Sequence, residues 1–62
     1  MRKKDMDAAF KMMGVTVVKG MMFYTIFPDM TDGVWYLKVS EHRTNQAVFD
    51  GVVKLLEHIR SN

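Results

Sequence analysis

No cysteine occurs in the 62 residues, so neither a disulfide nor a thiolate zinc site can hold this small chain together. The same absence fits a reducing cytoplasm, which is the expected compartment. Proline occurs once, as Pro28, and the four glycines (Gly14, Gly20, Gly33 and Gly51) are too dispersed to form a phosphate-cradling loop. No apolar run approaches the ~20 residues of a membrane span, and the N-terminal stretch "MRKKDMDAAFKMMGVTVV" lacks the uninterrupted apolar segment of a signal peptide. Charge of one sign is scarce as well. Nine Lys and Arg against seven Asp and Glu leave a net charge of +2, and after Arg2, Lys3 and Lys4 the basic residues are scattered. A protein that binds nucleic acid through phosphate contacts usually concentrates them on one face.

Hydrophobic residues make up 48% of the chain, which argues for a folded domain, and seven of them are methionines. A domain of this length buries only about 60% of the surface its unfolded chain exposes, so its stability should be modest. Residues 1–4 read as a mobile basic tail and residues 5–62 as a single α+β domain. Asp5 is placed to cap a short helix whose apolar stripe is Met6, Ala9, Phe10 and Met13, and Gly14 is placed to end it. Val15–Val18, Met21–Phe27 and Val34–Val39 read as three strands, with Lys19-Gly20 and Asp32-Gly33 as turn pairs. Thr44 or Asn45 caps a final amphipathic helix reaching about Arg60, with Asp50 and Lys54 at ion-pair spacing. The expected order is α-β-β-β-α, with a three-stranded antiparallel sheet and the C-terminal helix packed on one face.

If Phe27 lies opposite Val34, antiparallel pairing sets Ile26 against Trp35, Tyr24 against Leu37 and Met22 against Val39. These six residues share one face, the better core, where Trp35 is expected to meet Leu55 of the long helix. The other face carries Met21, Phe23, Thr25, Phe27, Val34, Tyr36 and Lys38. Only the first helix remains to cover it, the alternative being that both helices pack on one side and a few aromatics face water. The nine residues from Asp5 to Met13 would reach only ~13 Å, leaving roughly half of that face open. Gly51, inside the last helix, is expected to let that helix approach the sheet closely, since it otherwise costs ~1 kcal/mol relative to Ala.

No catalytic, metal or cofactor constellation can be assembled. "SEH" at residues 40–42 places Ser, Glu and His side by side, but neighbours on an extended chain point apart, and a triad is defined by geometry. Two distant histidines lack metal-ligand spacing, and the Met12-Met13 and Met21-Met22 pairs read as packing side chains before copper ligands. The element order is similar to that of double-stranded RNA-binding domains. That resemblance implies a basic cluster opening the last helix, and "RTNQAVFD" supplies one arginine there. The chain is therefore expected to be a non-enzymatic interaction module of inhibitor or adaptor type, from a phage or other mobile element. Met21, Phe23, Phe27, Val34, Tyr36 and Lys38 are its candidate interface, with a homodimer or a second protein as partner and no membrane contact. The rival expectation is nucleic-acid binding by the β-face aromatics with Arg2, Lys3, Lys4 and Lys11.

Overall fold

The computed structural model describes residues 1–61. It comprises α1 (Lys3–Met13), β1 (Val15–Lys19), β2 (Phe23–Pro28), β3 (Trp35–Lys38), a single 3-10 turn (Val39–Glu41) and α2 (Asn45–Arg60). The strands form one antiparallel sheet in the order β1-β2-β3. The expected α-β-β-β-α architecture is the one observed.

α1 begins three residues earlier than the Asp5 cap requires. Arg2 is the N-cap residue and makes no side-chain capping bond. Lys3 and Lys4 are good helix formers, and Asp5 within the first turn complements the positive end of the helix dipole. Lys3 also pairs with Asp7 one turn on, at 3.1 Å. Half of the expected tail is thus helical. At the other end Gly14 takes the left-handed conformation, φ 73°, and its N–H reaches back to the Phe10 and Lys11 carbonyls.

The strand register is the expected one. Ile26 lies opposite Trp35 and Tyr24 opposite Leu37. The Val39 N–H donates to the Met22 carbonyl at 2.9 Å, just beyond the ladder. Five strand ends differ: β1 runs on to Lys19, β2 ends at Pro28 instead of Phe27, β3 starts at Trp35 instead of Val34, and the other two ends are set by the connections. β2 starts at Phe23, because Gly20, Met21 and Met22 form the connection from β1, and β3 ends at Lys38, where the chain tightens into the 3-10 turn. The turn after β2 forms at Asp29-Met30 instead of Asp32-Gly33, with Met30 at φ 60°. Pro28, lacking an N–H, is the last residue of its strand.

Both helices pack on the same face of the sheet. Met6 and Phe10 of α1 are buried together with Val15, Ile26, Val48, Val52 and Leu56. α1 does not cover the second face. Its stripe gains more where α2 already lies, since Phe10 stacks on Phe49 with centroids 5.9 Å apart and planes 15° apart. The helices run parallel. Asn45 Nδ2 donates to the Met1 carbonyl at 3.1 Å at one end, and the Arg60 guanidinium donates to the Met13 carbonyl at 2.8 Å at the other.

α2 is started by Thr44, whose side chain accepts from the Ala47 N–H at 3.0 Å. Val48, Val52 and Leu56 follow at four-residue spacing, so one line of the helix enters the core. Leu55 and Trp35 are only half-buried, contrary to expectation. Leu55 flanks the buried row, and Trp35 stands on an edge strand. Asp50 accepts from Gln46 Nε2 at 2.9 Å, and no Asp50–Lys54 ion pair forms among the described residues. Nor are the methionines mainly core. Met6 is buried and Met13 partly so, while the other five are exposed.

Leu56→Ala should therefore cost ~2–5 kcal/mol and Leu55→Ala roughly half as much, because a half-buried side chain leaves a smaller cavity. Urea denaturation of the two variants compares them directly. Equal losses would mean that α2 is rotated from the orientation described.

Candidate functional site

Residues opposite each other in an antiparallel ladder point to the same face, so the register assigns every side chain. With Ile26, Tyr24 and Trp35 under the helices, Thr16, Val18, Phe23, Thr25, Phe27, Tyr36 and Lys38 lie on the far side. Among the described residues neither helix covers them. Phe23 is 41% exposed, Phe27 40%, Val34 40%, Val18 51% and Tyr36 62%. Phe23 and Tyr36, on neighbouring strands, meet edge to face with centroids 6.0 Å apart. The strands contribute no carboxylate to this face. Its charged member is Lys38 at one corner, which pairs with Glu41 at 3.8 Å. Four of the six expected interface residues, Phe23, Phe27, Tyr36 and Lys38, thus fall on one face, and Val34 lies in the β2–β3 connection just before β3. Met21 lies in the β1–β2 connection.

The expected nucleic-acid set is less coherent. Arg2, Lys3 and Lys4 open α1, whereas Lys11 lies in its last turn. All four belong to the helical layer, on the opposite side of the sheet from Phe23, Phe27 and Tyr36. Antiparallel connectivity assembles a different group instead. The end of β1, the end of β3 and the start of both helices lie at one end of the molecule, bringing Lys19 and Arg43 to the side where Lys3 stands. A cleft of about 580 Å³ opens there, lined by Lys19, Tyr24, Ser40, His42 and Arg43 with Met21 and Met22 at its rim. The Lys19 ammonium sits 6.0 Å from the centre of the Tyr24 ring.

The Ser40-Glu41-His42 run forms no triad. His42 Nδ1 lies 2.8 Å from the Lys38 carbonyl, which can only accept, so Nδ1 carries a proton. Glu41 is turned to Lys38. The other side of the His42 ring rests on Gly51. A Cβ built there would stand 2.8 Å from His42 Nε2 and 3.1 Å from a Leu37 methyl. Gly51 is thus the notch into which the cleft wall fits, as well as the point of close helix–sheet approach. Among the described residues no group of three or more His, Cys, Asp or Glu could hold a metal ion, and no helix is long and apolar enough to cross a membrane.

Comparison with known protein families, with characterised proteins and with solved structures finds no match for this chain. The likeness to double-stranded RNA-binding domains remains one of element order.

Sequence reading found the open face because a period of two sorts strand residues directly. It missed the cleft, whose basic residues come from separate elements. The signal was available in the topology, since alternate strands end at the same edge. Gly51→Ala should lower stability by ~1 kcal/mol or more although alanine is the better helix former, because the ring must move. In a His42→Ala background the same change should be close to neutral. Thermal unfolding of the four proteins of this double-mutant cycle measures the coupling, and strictly additive effects would show that the His42 ring does not occupy the notch.

Proposed function

We propose that the protein is a non-enzymatic interaction module that associates through its open sheet face, with a second copy of itself as the first partner. The observation carrying this reading is the contiguous patch of Val18, Phe23, Phe27, Val34 and Tyr36 on a face that neither helix covers. Scattered exposed apolar residues are ordinary, whereas a joined aromatic patch on a flat surface marks an interaction site.

Several features favour a second copy. Two such sheets can stack ~10 Å apart with their aromatic rows interdigitating, the geometry of sheet-on-sheet packing. A twofold contact needs a patch that complements itself, and this face has no opposed charges to be mismatched, its Lys38 lying at a corner. Size is a further argument. The Cα framework measures 28 × 22 × 16 Å, and a specific interface removes roughly 800 Å² per partner from water. Nearly the whole face would have to take part, which agrees with exposure extending across all three strands. In this reading the chain is a cytoplasmic inhibitor or adaptor of the kind carried by phages and other mobile elements, and its dimer presents the helical layer and the basic end outward. The competing combination, base stacking on Phe23, Phe27 and Tyr36 with phosphate contacts from Arg2, Lys3, Lys4 and Lys11, would require one strand to engage both sides of the domain at once.

Sedimentation equilibrium tests the proposal. Wild type should be dimeric, and Phe23→Lys or Tyr36→Lys should be folded monomers with dimer affinity reduced roughly 30-fold or more, as loss of a ~2 kcal/mol interface anchor implies. Both positions are already exposed, so circular dichroism should show an intact fold. A wild type that remains monomeric at about 1 mM, where even a Kd giving only −4.1 kcal/mol would be visible, would sink self-association.

A further inference from the structure

We propose that the cleft between Lys19 and Arg43 is a binding site for the phosphate backbone of a nucleic acid, read without regard to sequence. This surface is separate from the open sheet face, and the inference does not rest on dimerisation.

The lining carries the inference. Lys19, Ser40 and Arg43 line the cleft with no aspartate or glutamate among them, and His42 forms its wall with Nδ1 on the Lys38 carbonyl and Nε2 against Gly51. At this end of the molecule Lys3 pairs with Asp7 at 3.1 Å and Lys38 with Glu41 at 3.8 Å, whereas Arg2 and Lys4, outside the cleft, pair with no carboxylate among the described residues. Among the described residues Lys19 and Arg43 pair with no carboxylate. Two basic side chains facing one concavity without a counter-charge repel each other until an anion enters. Focusing of their field by the protein walls strengthens that preference. The chemistry suits phosphate. An arginine fork can take two oxygens at once, a lysine adds a point charge, and a hydroxyl can donate a further hydrogen bond.

Shape distinguishes a polymer from a single ion. The volume of about 580 Å³ lies within the ~300–1,000 Å³ range of sites for whole small molecules and is far larger than one phosphate needs. Met21 and Met22 stand 98% and 72% exposed at the rim, offering adaptable apolar contact to a sugar or base. A second depression adjoins the first, sharing Lys19 and Tyr24 and running on to Lys3 and Asn45 between α1 and α2. Asp7 is also on its wall, but it is engaged by Lys3. The two depressions, joined at Lys19 and Tyr24, therefore place Arg43, Lys19 and Lys3 along one continuous concavity. A bilayer surface is flat and would leave that concavity empty.

Fluorescence anisotropy with labelled RNA and DNA oligonucleotides of ~20 nucleotides, single-stranded and duplex, at about 50 mM salt, tests the site on the intact chain. At least one oligonucleotide should bind. Lys19→Ala/Arg43→Ala should weaken it at least ~10-fold and flatten the dependence of log affinity on log salt by about 1.4–1.8, the slope carried by two phosphate contacts. Lys54→Glu changes the net charge by the same two units at a position outside the cleft and should change affinity less than ~2-fold, because released counterions are counted only where phosphates are contacted. Lys19, Arg43 and Lys54 are exposed, so matching melting curves should verify that every variant is folded. Absence of binding to any oligonucleotide would overturn the proposal, as would an equal loss from Lys54→Glu and from Lys19→Ala/Arg43→Ala. Complete displacement by inorganic phosphate at millimolar concentration would identify a small-anion site instead. Cosedimentation with phosphatidylserine vesicles that oligonucleotides cannot compete away would reassign the cleft to a membrane surface.

Discussion

Ile26, on the central strand, is fully buried beneath Val48 and Val52 of α2, and that contact sets what the rest of the chain can do. These 62 residues have apolar material for one layer of core and no disulfide to supplement it. Once the central strand commits Ile26 and Tyr24 to α2, the remaining apolar elements gain most by enlarging the same core. α1 does so through Met6, Phe10 and the Phe10–Phe49 stack. The open sheet face is a consequence of this economy. Among the described residues there is no third α-helix to cover it.

The strand register could be read in advance because alternation and the loop length allow one pairing that places Trp35 and Ile26 together. α2 could be read from Thr44 and the regular spacing of Val48, Val52 and Leu56. The position of α1 could not. Met6 and Phe10 make an apolar stripe that would fit either face, and the contact that decides between them, Phe10 on Phe49, joins distant parts of the chain. Leu55 and Leu56 were equally apolar candidates for the core, and a rotation of 100° per residue separates buried from half-buried there. The candidate surfaces divide in the same way. Phe23, Phe27 and Tyr36 were legible as a set because they are local to one hairpin. Lys19, His42 and Arg43 were not, because only the folded topology brings them together.

Composition also concealed the electrostatics. A net charge of +2 reads as nearly neutral, yet Arg2, Lys3, Lys4, Lys19, Lys38 and Arg43 all lie toward one end of the molecule. The parallel helices add to the asymmetry, since both present their positive dipole ends there. Asp5, Asp7 and Glu41 lie toward that end too, and toward the opposite end Asp29, Asp32 and Glu57 are balanced by Lys11, Lys54 and Arg60. The small positive excess is thus gathered at one end, while the sheet face is nearly uncharged.

This separation has a physical use. Apolar association strengthens with buried area and depends little on salt, whereas phosphate contacts weaken steeply as salt rises. Placing the two on different surfaces lets one vary without disturbing the other. It also lets them reinforce one another. A dimer joined through the sheets would carry two basic clefts on one rigid body, so the second would engage a long polyanion at an effective concentration set by their spacing. A weak single contact then becomes adequate, which removes any need for the dense basic cluster that the sequence lacks. Mild net charge is therefore no argument against a polyanionic partner once self-association is taken into account.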